Sequence, residues 1–491
     1  MQQTTHRPIP GLPIWVLTLL ALGLWACQNT PTTEEPAPRD LPDYTAVSQV
    51  ENGRPTNVKF TTYSTTLKAD GTDKARLRIT VIDSLGREIT SATNPIHMYV
   101  EGSGQVTTLE GEALPAATDT SGHSYGEARL TNGQLELYFV AGNTPDKTVV
   151  RAASPDLWSG EHEIHAIRTD QEFLTPTEDQ LPPTTIPIDD MIGADISFLP
   201  QMEARGVTFT DNGEPVDAIE LLRDKGFNYI RLRLFVNPEN EDGYSPDQGF
   251  CGLDYTVAMA KRIKAAGMKF LLDFHYSDYW ADPQKQYKPK AWEGLDYETL
   301  KDTVQVYTAR VIQTLADAGA KPDMVQVGNE INHGIIWPDG HIGNLDGLAG
   351  LLKAGVAGVE QVDEDIQIMM HIALGGQNKE SVFWLDNMFA RGVTCDLIGL
   401  SFYPRWHGTL NDLQANLYDL MDRYNKPLNV VEYSNFKKEV NEIVFNMPDG
   451  MGTGTAIWEP LNSRSGLFDE DLEATDLFEV YEEAAESHLD Q

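Results

Sequence analysis

Met324-Val325-Gln326-Val327-Gly328-Asn329-Glu330 is a short apolar run, rich in valine, that ends abruptly in an amide and a carboxylate. A run of this kind, with no sustained alternation, has both faces covered, as in a buried parallel strand. Asn329 and Glu330 then fall at the C-terminal end of that strand, where an α/β barrel gathers its reactive groups. Leu428-Asn429-Val430-Val431-Glu432-Tyr433 repeats the design and again closes on a glutamate. Either glutamate alone could cap the next element or pair with an arginine. Two of them at the strand ends of one barrel point to acid and base work, of the kind that cleaves a glycosidic bond.

Around these stretches the chain alternates strand and helix from Met191 onward. Strands are expected at 192–196, 229–235, 269–274, 324–328, 367–372, 397–402, 428–431 and 455–458. Amphipathic helices are expected at 216–225, 255–266, 297–318, 347–362, 382–390 and 410–424. Lys225-Gly226, Ala266-Gly267 and Ala318-Gly319 supply the glycine stops that helices favour at their C-terminal ends. Eight strands with intervening helices predict a (β/α)8 TIM barrel over 191–488. A doubly wound open sheet is the alternative, but no glycine-rich phosphate loop follows the first strand.

Residues 44–170 differ in character. The runs 58–63, 75–82, 96–100 and 135–140 alternate at period two, and 149–152 and 163–167 read as further, edge strands. Turn signals such as Asp70-Gly71 and Asn132-Gly133 separate them, so an all-β sandwich without cysteines is expected. The Ala69-Asp70-Gly71 turn, Ile79-Thr80-Val81-Ile82-Asp83 and Glu101-Gly102-Ser103-Gly104 resemble the bacterial Ig-like modules attached to many surface glycosidases. No catalytic spacing occurs here, so a spacer is expected, with carbohydrate binding the sharper alternative. Because every candidate catalytic group follows Asp190, the sandwich is expected to be dispensable for turnover. Residues 171–190, rich in Pro, Thr and acids, form the linker.

The 491-residue chain has a formal net charge of −37, which disfavours nucleic acid and anionic membrane surfaces as partners. A neutral polysaccharide is compatible. Cys27, Cys251 and Cys395 make no even set and no metal-ligand spacing, so disulfides are not the framework. His6 and Arg7 precede an apolar stretch, 14–25, too short to span a bilayer comfortably. It ends at Leu24-Trp25-Ala26-Cys27, which resembles the bacterial lipobox, with Trp25 an unusual occupant. The resemblance implies a signal peptide over 1–27, lipidation of Cys27, and a membrane contact made through that lipid alone. Gln28 after the cysteine fits outer-membrane sorting; plain secretion is the alternative. Residues 28–43 read as a disordered polar tether. A monomer is expected.

The strand ends offer Asp195, Arg231 and Arg233, Asp273 with His275, Asn329 and Glu330, His371, Tyr403, Glu432, and Trp458 with Glu459. Several stretches resemble glycoside hydrolase family 53, the endo-β-1,4-galactanases: Gly193-Ala194-Asp195-Ile196-Ser197, Ile230-Arg231-Leu232-Arg233, and Leu272-Asp273-Phe274-His275-Tyr276-Ser277-Asp278. The likeness continues through Asp323 to Glu330, Ser401-Phe402-Tyr403-Pro404, Val431-Glu432-Tyr433 and Trp458-Glu459-Pro460. It implies a retaining hydrolase of β-1,4-galactan or type I arabinogalactan, with Glu330 as general acid/base and Glu432 as nucleophile. Asp195, Arg233, Asp273, His275, Asn329, His371, Tyr403 and Trp458 would bind substrate. Arg233 is expected beside Glu432, keeping it charged, with Tyr403 donating to it. Asn329 would hold the sugar 2-hydroxyl and Trp458 would floor the cleft, while the loop residues Trp280, Trp292 and Trp337 are weaker candidates for outer subsites. Phe235 stands where the family has a tryptophan. The run from Glu432 to Trp458 is too short for the calcium-binding loop of bacterial relatives, so no cofactor is expected. The glutamate pair alone leaves open a mannan- or xylan-cleaving barrel of the same clan, or a non-catalytic glycan-binding lipoprotein.

Overall fold

A computed structural model describes residues 39–184 and 186–489. Cys27, its signal and most of the expected tether lie outside the described residues.

The strands after Met191 close into a barrel in sequence order: Met191–Asp195 (β1), Tyr229–Leu234 (β2), Lys269–Phe274 (β3), Met324–Val327 (β4), Gln367–Ile372 (β5), Leu397–Phe402 (β6), Leu428–Tyr433 (β7) and Gly452–Trp458 (β8). All pairings are parallel, and β8 returns to β1 with Ala194 opposite Ile457, which excludes the open-sheet alternative. Every strand is covered on both faces, which accounts for the near-continuous apolar runs. One residue from each strand, including Met191, Leu271, Met324, Met369 and Val431, fills the barrel below its polar rim.

The helices start where side chains can satisfy free backbone N–H groups. Asp217 caps Ala218–Asp224, Asp296 caps Tyr297–Asp317, and Thr409 forms a capping box with Asp412 ahead of Leu410–Tyr424. Three further helices, Leu199–Ala204, Lys437–Phe445 and Glu479–His488, were not legible. They are short, and none has a side-chain cap at its start.

Two six-stranded sheets make the sandwich. Its core includes Val58, Phe60, Leu77, Ile79, Leu137, Phe139 and Val150, which are inward members of the alternating runs. Asp146–Ala153 and Gly160–Ile167 are interior strands, not edges. Asp146–Ala153 lies between Gly160–Ile167 and Pro95–Glu101, while Gly160–Ile167 also pairs with Thr66–Lys68. Thr66–Lys68, which covers Gly160–Ile167, is too short to show an alternation, and the pairing of Asp146–Ala153 with Pro95–Glu101 is between strands distant in sequence.

The sandwich does not stand free as a spacer, because it is keyed into the C-terminal rim of the barrel. Glu380, on the helix after β5, is buried and accepts from Thr65 N at 2.8 Å, Thr65 Oγ1 at 3.0 Å, Thr66 Oγ1 at 2.8 Å and Ser64 Oγ at 3.1 Å. Buried Lys59 reaches Gly408 O at 2.7 Å and pairs with Glu88 at 2.8 Å. The linker also packs down, with Leu174 N donating to Asn387 and Phe173 edge-on to Phe383.

Histidines crowd this seam. The His165 ring lies tilted against His333 at 4.2 Å and His341 at 4.9 Å, and His333 Nε2 is 2.8 Å from Thr65 Oγ1. Burial pushes His333 down to about 4 and His165 well below the ordinary value. A histidine kept neutral in the fold protonates more readily once unfolded. Its contribution is therefore complete above the unfolded value of about 6.5 and is lost as pH falls from there towards 4, by up to about 1.4 kcal/mol per pH unit for each enclosed ring. Burial likewise pushes His162 and His341 down to about 4. The urea midpoint should drop between pH 7 and pH 5, and His333→Gln should flatten that drop. An identical slope in the variant would assign acid sensitivity elsewhere.

Candidate active site

The C-terminal strand ends open into a cleft of about 650 Å³. Arg231 organises its floor. From β2 its Nη1 donates to Asp195 at 2.8 Å and Glu432 at 3.1 Å. Its Nη2 donates to Asp273 at 2.9 Å and Asn329 Oδ1 at 2.7 Å, and Nε to Gln326 at 3.2 Å. All five guanidinium hydrogens are used in a fully buried site, so the carboxylates around it are held in one geometry. Against the upward push of burial, Arg231 and His275 keep Asp273 below the usual carboxylate range.

The expectation that Arg233 flanks Glu432 is corrected, since Arg231 does. Two residues along the strand, Arg233 shares the inward face but turns to Glu459, at 2.6 Å. Its guanidinium lies 4.3 Å from the Phe198 ring and 4.2 Å from the Trp280 ring, a stack that suits a planar cation.

Glu432 ends β7 where the register with β6 slips between Gly399 and Ser401. Such an irregularity re-aims a side chain next to a cleft. Glu432 Oε1 accepts from the Tyr403 hydroxyl at 2.9 Å. Tyr403 remains a donor, since burial and the neighbouring Glu432 raise it well above its ordinary value.

Glu330 sits just beyond β4 in the left-handed region, φ 48° and ψ 54°, which costs a non-glycine residue on the order of 1 kcal/mol. Gly328, at φ 92°, allows the turn that precedes it. Ser401 Oγ donates to Glu330 Oε1 at 2.7 Å. Behind Ser401, His371 Nε2 lies 2.8 Å away, while His371 Nδ1 faces Gln326 Nε2 at 2.9 Å. Burial and Arg231 push His371 well down, so it is neutral. The network then assigns Nε2–H as a donor to Ser401, which passes its own proton towards Glu330.

Single carboxylate oxygens of Glu330 and Glu432 and a nitrogen of His371 lie within 4.8 Å of one another. A cation could span that distance, but both His371 nitrogens are already engaged, so the trio fits proton transfer better than metal ligation. Burial and the charge of Glu432 raise Glu330 well above the ordinary glutamate value. Burial raises Glu432 too, but Arg231 and Tyr403 oppose it directly. The shared proton therefore rests on Glu330 and the charge on Glu432.

Asp195, Arg233, His275, Asn329, Tyr403 and Trp458 line the cleft with the glutamates. Asp273 and His371 do not; fully buried beneath it, they hold Arg231 and Ser401 rather than offering themselves to a ligand. Trp280 lines the cleft, whereas Trp292 is buried against Tyr307 and Trp337 borders a separate surface hollow. Phe235 is buried against His275 and Trp280, so the missing tryptophan changes packing behind the wall. Sequence reasoning missed the supporting roles of Gln326 and Ser401. Both are polar residues inside buried strands, a signal in plain view.

A closed parallel barrel with two buried carboxylates of unequal environment at its C-terminal mouth defines a glycoside hydrolase of the barrel type. Residues 191–442 match the family model Glycosyl hydrolase family 53, and the chain belongs to that family. Residues 58–163 match the model for glycoside hydrolase family 2 C-terminal domain 5. An uncharacterised Niallia circulans protein is 43% identical over 312 residues, 55% of this chain and 83% of that one. Arabinogalactan endo-β-1,4-galactanase A of Aspergillus niger is 33% identical over 304 residues, 55% and 84% of the two chains. The Ignisphaera aggregans GH53 catalytic domain superposes with a TM-score of 0.57 at 31% identity, over 61% of this chain and 98% of that one.

Proposed function

We propose that the protein is a retaining arabinogalactan endo-β-1,4-galactanase that works by double displacement. The observation that carries the mechanism is the approach of Glu330 and Glu432 to within 4.8 Å in opposed environments. Retaining glycosidases place two carboxyl groups about 5–5.5 Å apart, whereas inverting ones leave room for a water. Glu432, charged and oriented by Arg231 and Tyr403, attacks the anomeric carbon from the α face. Glu330 protonates the departing glycosidic oxygen, so the C–O bond breaks as the glycosyl-enzyme ester forms. Deprotonated Glu330 then takes a proton from water, whose oxygen attacks the same carbon and frees Glu432. Asn329, whose Nδ2 donates one hydrogen to Ala281 O at 2.8 Å, has its second for a sugar hydroxyl. Trp458 supplies an apolar face to the sugar ring.

The named galactanase relatives support galactan as substrate. The test is hydrolysis by the full chain of galactan, arabinogalactan, mannan and xylan. Fast endo-cleavage of the galactans alone is expected. Comparable cleavage of mannan or xylan would move the enzyme to another specificity, and no cleavage of any polymer would make it a binding protein.

Export as a lipoprotein, with Cys27 carrying the lipid and the barrel displayed at an outer membrane, extends the reading. Cys27→Ala should move the protein from the membrane to the soluble fraction. Equal partitioning of variant and wild type would remove the anchor.

A further inference from the structure

Part of the cleft wall does not belong to the barrel. Ser159, Glu161, His162 and Glu163, from the sandwich strand Gly160–Ile167 and its approach, line the same cavity as Glu330 and Glu432. Hydrogen bonds tie this part of the sandwich to the barrel rim. Arg405, two residues beyond Tyr403, donates to Ser159 O. His333, three residues beyond Glu330, meets Thr65. Every named hydrogen bond from the sandwich to the rim ends on the loops or helices after β4, β5 or β6. The cleft residues Asp195, Arg233 and Trp458 come from β1, β2 and β8, on the other side of the glutamate pair.

We propose that the β-sandwich builds the leaving-group end of the substrate cleft, with Glu161 and His162 as specificity-determining contacts to the sugars beyond the cleaved bond. This rests on Glu330 being the general acid. An acid that protonates the departing oxygen stands on the leaving-group side of the bond, and the sandwich closes over the loops that follow Glu330 and Ser401.

The chemistry offered suits a neutral polyol. His162 Nε2 lies 2.6 Å from the Phe60 carbonyl, so that nitrogen carries the proton and Nδ1 is left as an acceptor. Glu161 is exposed and offers carboxylate oxygens to hydroxyl donors, and the Arg405 guanidinium lies over the Trp406 ring at 5.2 Å. Acceptors, a cation and an indole face together match hydroxyls and a sugar ring. An acidic sugar would meet the Glu161 and Glu163 carboxylates.

The test is the position of the cut in β-1,4-galactohexaose labelled at its reducing end, with the full-length chain carrying Glu161→Ala or His162→Gln. Losing contacts beyond the scissile bond penalises binding modes that place several sugars there. The cut should therefore move towards the reducing end. The ratio of labelled fragments of two or more sugars to labelled galactose should fall at least threefold. Glu161 is exposed, so its variant tests the idea even if His162→Gln fails to fold. An unchanged ratio in folded Glu161→Ala overturns the proposal, whatever the total rate does. So does a shift towards the non-reducing end, which would put the sandwich across the other subsites. Failure of the acid/base reading itself is separate, since it would show as undiminished hydrolysis in Glu330→Ala.

Discussion

Glu432→Ala should abolish turnover on every glycoside, with kcat lowered on the order of 10⁴-fold or more. Asp195, the other cleft carboxylate on Arg231, is held by Ser197 as well as by the guanidinium, so it does not replace Glu432 in forming the ester intermediate. The truncated side chain leaves a space beside a guanidinium that has lost one of its partners, which favours a small anion. Azide added with an activated aryl galactoside should enter that space, attack the α face and give the α-galactosyl azide. The stereochemistry is the decisive readout. A β-azide product would exchange the roles of the two glutamates, and undiminished turnover would remove Glu432 from the reaction.

The second large effect is expected in Glu330→Ala. On galactan, whose leaving group is a poor one that needs a proton, the rate should fall about 10²–10⁴-fold. On an aryl galactoside with a good leaving group the first step should survive, because no proton has to be supplied. Deglycosylation then lacks its base, so a burst of phenol followed by accumulation of the glycosyl-enzyme is expected. Azide should relieve that block and give the β-azide. The pH profile carries a matching sign. Wild-type turnover of galactan requires protonated Glu330 and should decline as pH rises through its raised value, whereas release of an activated phenol by Glu330→Ala should lose that alkaline limb. An unaltered limb would place the titrating acid elsewhere.

Much of the barrel was legible because each strand is covered on both faces, and a doubly covered strand must be written as an apolar run. Met324 to Glu330 and Leu428 to Glu432 therefore declared both their secondary structure and the position of their carboxylates. Arg231 and Arg233 show where that legibility stops. Both point inward from one strand, and spacing alone cannot tell which reaches Glu432 and which turns to Glu459 and the rings of Phe198 and Trp280. Asp273 and His371, expected as substrate contacts, lie beneath the cleft instead, because their depth depends on barrel geometry that one strand does not encode.

The sandwich was readable as a fold because period-two alternation reports its buried face. Its place was not, because a domain seam leaves no periodicity in a sequence. The partners of Glu380 are Ser64, Thr65 and Thr66, and those of His333 and Arg405 are Thr65 and Ser159, all far away along the chain. By itself, then, the sequence determined the two folds, the family and the pair of glutamates, since local burial and strand-end position suffice for these. Only the tertiary structure decided which arginine holds the charge of Glu432, how the shared proton is divided, and that one strand of the sandwich walls the cleft. Those depend on distances and desolvation between residues that meet only when the chain has closed.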